Sequence, residues 1–123
     1  MNDNNHVPML SAKSLIGTEV VNLQNEKLGK LEELMIDLAS GRIGYAVLSF
    51  GGILGIGDKL FAVPWASLTV DEKNEKLVMD AHKDLLAKAP GFDKNNWPQT
   101  PNGVWVREVY AYYNQEPYWS QVP

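Results

Sequence analysis

The feature that most limits the fold is a rhythm of short apolar runs broken by turn-forming clusters, sustained from residue 18 to residue 79. Runs of this length are short for helices but suit β-strands, whose side chains alternate between two faces. Residues 18–23 are β-branched and apolar and read as a strand. Gln24, Asn25, Glu26 and Lys27 then form a tight turn, and Ala39, Ser40, Gly41 and Arg42 a hairpin turn. After it, Ile43, Tyr45 and Val47 alternate with Gly44, Ala46 and Leu48. Both faces are apolar or small, which predicts a central strand covered on both sides. Residues 59–63 form a short strand closed by Pro64 and Trp65. Residues 68–70 and 77–79 flank the polar turn 71–75 as another hairpin.

Residues 28–38 fit two periods. Leu28, Leu31, Met35 and Leu38 match a helical face, whereas Leu34, Ile36 and Leu38 match a strand face. Gly29 weakens the helix and turn signals close both ends, so a long strand is the expectation. The fold class expected is therefore mainly β: a small six-stranded barrel, closed or partly open. Closure removes the exposed edges that sheets otherwise leave. Trp65 is expected to be largely buried and to close one end of it.

The flanks differ from this middle. Residues 1–9 read as a disordered arm and residues 10–82 as the barrel. Residues 83–123 read as a helical, aromatic extension packed on the barrel or on a second subunit, and what helix the fold has is expected mainly after residue 82. Ser11 caps one helical turn that Gly17 ends, and a short helix from Lys83 stops at Pro90 and Gly91. The extension is rich in aromatics, among them Trp97, Trp105, Tyr112, Tyr113, Tyr118 and Trp119.

Chemistry is harder to find than structure. The chain has 123 residues and no cysteine, which removes disulfides and thiolate sites. With two histidines, a closed zinc site would need carboxylates for half its ligands, and no spacing suggests one. Gly52 and Gly57 have phosphate-loop spacing, but Asp58 stands where lysine is needed and would repel phosphate. Adjacent Glu32 and Glu33 would face opposite sides of a strand and cannot form a catalytic pair. A net charge of −4 with scattered basic residues argues against nucleic acid. No apolar run is long enough to span a membrane, and no secretion signal is visible, so a cytoplasmic protein is expected. No catalytic residue, cofactor or metal is assigned.

What remains is a surface. Ile53, Leu54 and Ile56 lie in a glycine-rich loop, where apolar side chains need a cover. With Asp58, Tyr112, Tyr113, Tyr118 and Trp119 they form the candidate interaction surface. Gly51, Gly52, Gly55, Gly57, Pro64, Trp65 and Trp97 are given structural roles. The expectation is a non-catalytic interaction module, a homodimer or a docking partner of another protein. The alternative is a binder of a small apolar or quinone-like ligand between barrel and extension.

Longer motifs carry a family resemblance. Leu15-Ile16-Gly17, the run from Glu26 to Glu32, and Asp37-Leu38 with Gly41-Arg42-Ile43 resemble the PRC-barrel family, named for the reaction-centre H subunit's cytoplasmic domain. The runs Leu48-Ser49-Phe50-Gly51-Gly52 and Gly57 to Trp65 are similar to its stand-alone bacterial members. So are Ala89-Pro90-Gly91-Phe92, Asn96-Trp97-Pro98, Tyr112-Tyr113 and Pro117-Tyr118-Trp119. The resemblance implies a barrel that serves for docking, as in the reaction centre and in a ribosome maturation factor. Against these two, the chain is expected to stand without the transmembrane helix of the first and the preceding domain of the second.

Overall fold

The computed structural model describes residues 8–50, 59–98 and 103–120. Its centre is one seven-stranded sheet: β1 (Glu19–Val21), β2 (Lys27–Ile36), β3 (Ile43–Phe50), β4 (Lys59–Val63), β5 (Leu68–Asp71), β6 (Lys76–Met79) and β7 (Phe92–Asp93). The order across the sheet is β5-β6-β1-β2-β3-β4-β7. All pairings are antiparallel except β1 with β6, which run parallel through Val20 with Leu77 and Val21 with Val78. Six of these strands are those expected from the sequence. The seventh, β7, pairs only two residues with β4 and is too short to leave a periodic signal. Among the described residues the sheet does not close, and β5 and β7 are its two edges; of the expected six-stranded barrel, closed or partly open, the strand count becomes seven and the closed form is not found.

The ambiguous segment is strand β2, with Leu38 beyond it in the turn and 94% exposed. Irregular pairing between Leu31 and Glu33, and again between Met35 and Ile36, breaks the alternation. Such bulges reverse which side chains face inward. Leu28 and Leu31, three residues apart, are both buried because the pairing with β1 skips Leu28, and Ile36, beyond the later bulges, is half exposed. Strand β3, between β2 and β4, is buried at every position from Gly44 to Leu48, as its two small-or-apolar faces predict.

Short polar side chains fix the turns. Asn22 is 2% exposed, yet its side chain is satisfied on both ends. Its Oδ1 accepts from the amides of Gln24 (3.0 Å) and Glu26 (2.9 Å), and its Nδ2 donates to Glu26 Oε1 (2.7 Å). Asp37 accepts from the Ala39 amide (2.9 Å), and Gly41 takes the left-handed φ of 76° that the β2–β3 turn requires. Asp71 accepts from the Asn74 amide (3.2 Å) in the β5–β6 turn.

Three helices flank the sheet: α1 (Ala12–Leu15), α2 (Lys83–Ala87) and α3 (Gly103–Tyr112). Helix α1 is capped by Ser11, whose side chain accepts from the Ser14 amide, as the sequence suggests. Helix α3 carries Trp105, Val109 and, just past its end, Tyr113 at spacings of four, and this face joins the core cluster with Leu86 and the β3–β4 side chains. No helix among the described residues is long and apolar enough to cross a membrane.

Candidate functional site: a groove at the open side of the sheet

The extension folds back onto the sheet through named bonds. Tyr110, almost fully buried, donates from its hydroxyl to the Gly44 carbonyl at 2.7 Å. Burial pushes that hydroxyl's pKa up to about 12. Tyr118 donates to Asp37 Oδ2, and Arg42 Nη1 donates to the Tyr118 carbonyl at 2.8 Å. Burial, with the Asp37 carboxylate beside it, raises the Tyr118 pKa; the Tyr118 hydroxyl, with the Ala39 amide, lowers that of Asp37. A Cβ on Gly44 would meet the Met35 carbonyl at 3.4 Å and the Tyr118 hydroxyl at 3.7 Å, ordinary contact distances, so the approach does not depend on glycine there. The aromatic rings close on one another, Tyr110 against Trp119 at 5.3 Å and Tyr118 against Trp119 at 5.0 Å.

The candidate interaction residues therefore divide. Tyr113 is buried, Tyr112 and Tyr118 are partly buried within the chain, and Trp119 is 42% exposed. Tyr112 donates to the Leu85 carbonyl at 2.6 Å. Tyr118 and Tyr113 thus tie the extension to the sheet and its core, while Tyr112 bonds within the extension, to α2. Ile53, Leu54, Ile56 and Asp58, with Gly51, Gly52, Gly55 and Gly57, lie outside the described residues. Pro64 is fully buried. Trp97 stacks edge-on against Phe92 at 5.1 Å. Trp65 is partly buried and packs against the core cluster; it starts a 3-10 turn (Trp65–Ser67) just past β4 and stands at the rim of two depressions.

The larger depression is a groove of about 900 Å³. Leu34 of β2 and Ile43 of β3 line one side, Val70 of β5 another, and Pro8, Met9, Leu10 and Leu15 a third. It brings side chains of the edge strand β5 together with those of the β2–β3 hairpin and of the segment leading into α1. Met9 is 78% exposed and Leu10 half exposed on its wall. A neighbouring depression of about 430 Å³ shares Leu10, Leu15, Val70, Asp71 and Glu72 and adds Glu75 and Lys76. The sequence reading missed this groove because it treated residues 8 and 9 as part of a loose arm. The available signal was the apolar pair Met9-Leu10 directly before the Ser11 cap.

The carboxylates with shifted pKa serve structure. Glu19 is held low by Lys27 (3.0 Å) and more weakly by Lys76 (3.5 Å), and Asp71 is held low by the Asn74 side chain and amide. No group of three potential metal ligands occurs among the described residues.

The PRC-barrel domain model matches residues 8–86, well over half of the chain. This chain belongs to the PRC-barrel domain family. No curated protein matches it. Among solved structures it is similar to RimM, a 16S ribosomal RNA processing protein of Pseudomonas aeruginosa, at 16% identity with a TM-score of 0.46. That likeness covers 68% of this chain and 50% of RimM, so the chain spans about half the length of that protein.

Proposed function

We propose that this PRC-barrel domain is a non-catalytic assembly module that docks onto other protein chains and associates with its own copies as a dimer. The observation that carries the reading is the apolar groove beside an unpaired sheet edge. Open apolar surface of this kind is characteristic of interaction sites. The shifted carboxylates support the non-catalytic part, since each is engaged in a turn or an ion pair. Self-association is supported by exposed Trp119 and, from the sequence alone, by the apolar residues Ile53, Leu54 and Ile56 of the glycine-rich run, since twofold pairing is the commonest way to cover apolar surface. Light scattering after size-exclusion chromatography tests the dimer, and Ile53→Asp with Ile56→Asp is expected to give a folded monomer. A wild-type protein that is monomeric at high micromolar concentration ends the dimer reading and leaves docking onto other chains. Crosslinked capture from the native host, with mass spectrometry, tests that remainder; recovery of no protein ends it.

A second reading has its own observation. A depression of about 490 Å³ lies between sheet and extension, lined by Arg42, Ile43, Trp65, Tyr110 and Tyr118 among others. It suits a small, flat, apolar ligand with an oxygen for Arg42, such as a quinone. Quenching of tryptophan fluorescence by a soluble quinone, lost in Arg42→Ala, is the expected result; no saturable quenching dismisses it.

A further inference from the structure

We propose that the open seam of the sheet takes up an extended segment of a partner protein, which adds a strand to β5 and carries a lysine or arginine next to its apolar side chains. This rests on the docking reading above and specifies its partner. Every residue of β5 pairs with β6 on one side, from Leu68 with Met79 to Asp71 with Lys76, and no strand occupies the other side among the described residues. Sheet edges left like this attract further strands, and proteins usually blunt them with proline or an inward charge. β5 carries no proline, and its one charge, Asp71, stands at its end and is turned to the Asn74 amide and side chain. Strand addition supplies main-chain hydrogen bonds, while pockets beside the edge receive alternate side chains. The groove provides such a pocket: Val70 of β5 lines it together with the apolar side chains of Leu34, Ile43 and Trp65.

Charge defines the rest of the partner. Asp71, Glu72 and Glu75 stand around the joined depressions with Lys73 and Lys76. Lys76 is committed to Glu19 at 3.5 Å. The rim that meets a partner is therefore net acidic, which favours a basic residue and repels a phosphate backbone.

The test is a random peptide library panned against the immobilised full chain, followed by NMR mapping of the enriched peptides. Peptides of alternating apolar pattern with a lysine or arginine are expected, shifting the amides of Thr69, Val70 and Asp71. Val70→Asp is expected to abolish their binding. Because that variant also touches the core side, a charge swap at exposed positions serves as the second probe. Glu72→Lys with Glu75→Lys is expected to weaken the basic peptides by about tenfold, the scale of losing one rim attraction, and to favour their glutamate counterparts. Enriched peptides without a basic residue, or basic peptides indifferent to the charge swap, overturn the proposal. Peptides that map elsewhere overturn the seam and leave the docking reading standing. If no peptide binds the folded chain, the seam proposal fails and docking is judged on the capture experiment alone. If the charge swap instead changes the molecular mass of the unliganded protein, a second copy fills the seam and the partner proposed here is wrong.

Discussion

Tyr110→Phe isolates the bond that ties the extension to the sheet. The substitution keeps the buried ring and its contacts with Tyr118 and Trp119 but removes the hydroxyl that donates to the Gly44 carbonyl at 2.7 Å. That carbonyl lies in β3, on a residue buried from solvent. A net neutral hydrogen bond contributes about 1 kcal/mol, and stranding a buried acceptor adds to the loss, so about 1–2 kcal/mol is expected. Tyr110→Ala, which also empties the ring's place, is expected to lose about 3–5 kcal/mol. Urea titration followed by tryptophan fluorescence measures both, with an unchanged slope showing that only stability has moved. The phenol's titration gives an independent readout. The Tyr110 pKa is raised in the folded state to about 12 from the usual 10.0. Folding therefore favours the protonated hydroxyl; its stabilisation is complete below pH 10 and is lost as pH rises from 10 through 12. Wild type should lose more stability than Tyr110→Phe across that window. A phenylalanine variant within about 0.3 kcal/mol of wild type, with the same alkaline profile, would refute the argument that this hydroxyl holds the extension.

Other outcomes follow from the same geometry. A Cβ on Gly91 would lie 2.7 Å from the Leu60 carbonyl and 2.9 Å from the Phe61 ring, so Gly91→Ala is expected to destabilise by about 1–3 kcal/mol in thermal melts. Asn22→Ala leaves two turn amides without their acceptor and is expected to cost about 1–3 kcal/mol in urea titration. Asp37 has a lowered pKa in the folded state, so its support of the tail is present above pH 3.8 and is lost as pH falls below that value through the folded pKa. The protection of the Glu116, Tyr118 and Trp119 amides against exchange, relative to the intrinsic rate at each pH, should fall there, and should already be low at neutral pH in Tyr118→Phe. Trp65→Ala, at a half-buried side chain, is expected to lose about 1–3 kcal/mol, and an energy near that of Tyr110→Ala would mean that the groove is closed in solution.

Turn chemistry and alternation made most strands readable before any coordinates. Asn25, Gly41 and the polar run after Asp71 fall where the chain reverses. What alternation could not show was β2's change of face, because a bulge adds a residue without altering composition. Nor could it show whether the barrel closes, which depends on how far the sheet coils. Helix α3 was legible in principle from Trp105, Val109 and Tyr113, but the density of aromatic residues drew attention to stacking rather than to period. The interaction residues had a parallel fate. An exposed tyrosine and one bonded to its own sheet look alike in sequence, and Tyr118 is told from Trp119 only by Asp37 lying within reach.

The parallel pairing of β1 with β6 also governs the order in which the sheet can be assembled. β1 is the first strand in the chain, only three residues long, and lies between β2 and the last strand of the β5–β6 hairpin. β2, β3 and β4 can form as successive antiparallel neighbours, but one flank of β1 stays empty until the chain through Met79 is available. Closing that long loop costs entropy before any ladder bond is returned, which slows folding relative to a simple meander. A chain emerging from its N-terminus therefore passes through a stage with two incomplete edges, β1 as well as β4, and one of them is sealed only when the β5–β6 hairpin swings back across the sheet.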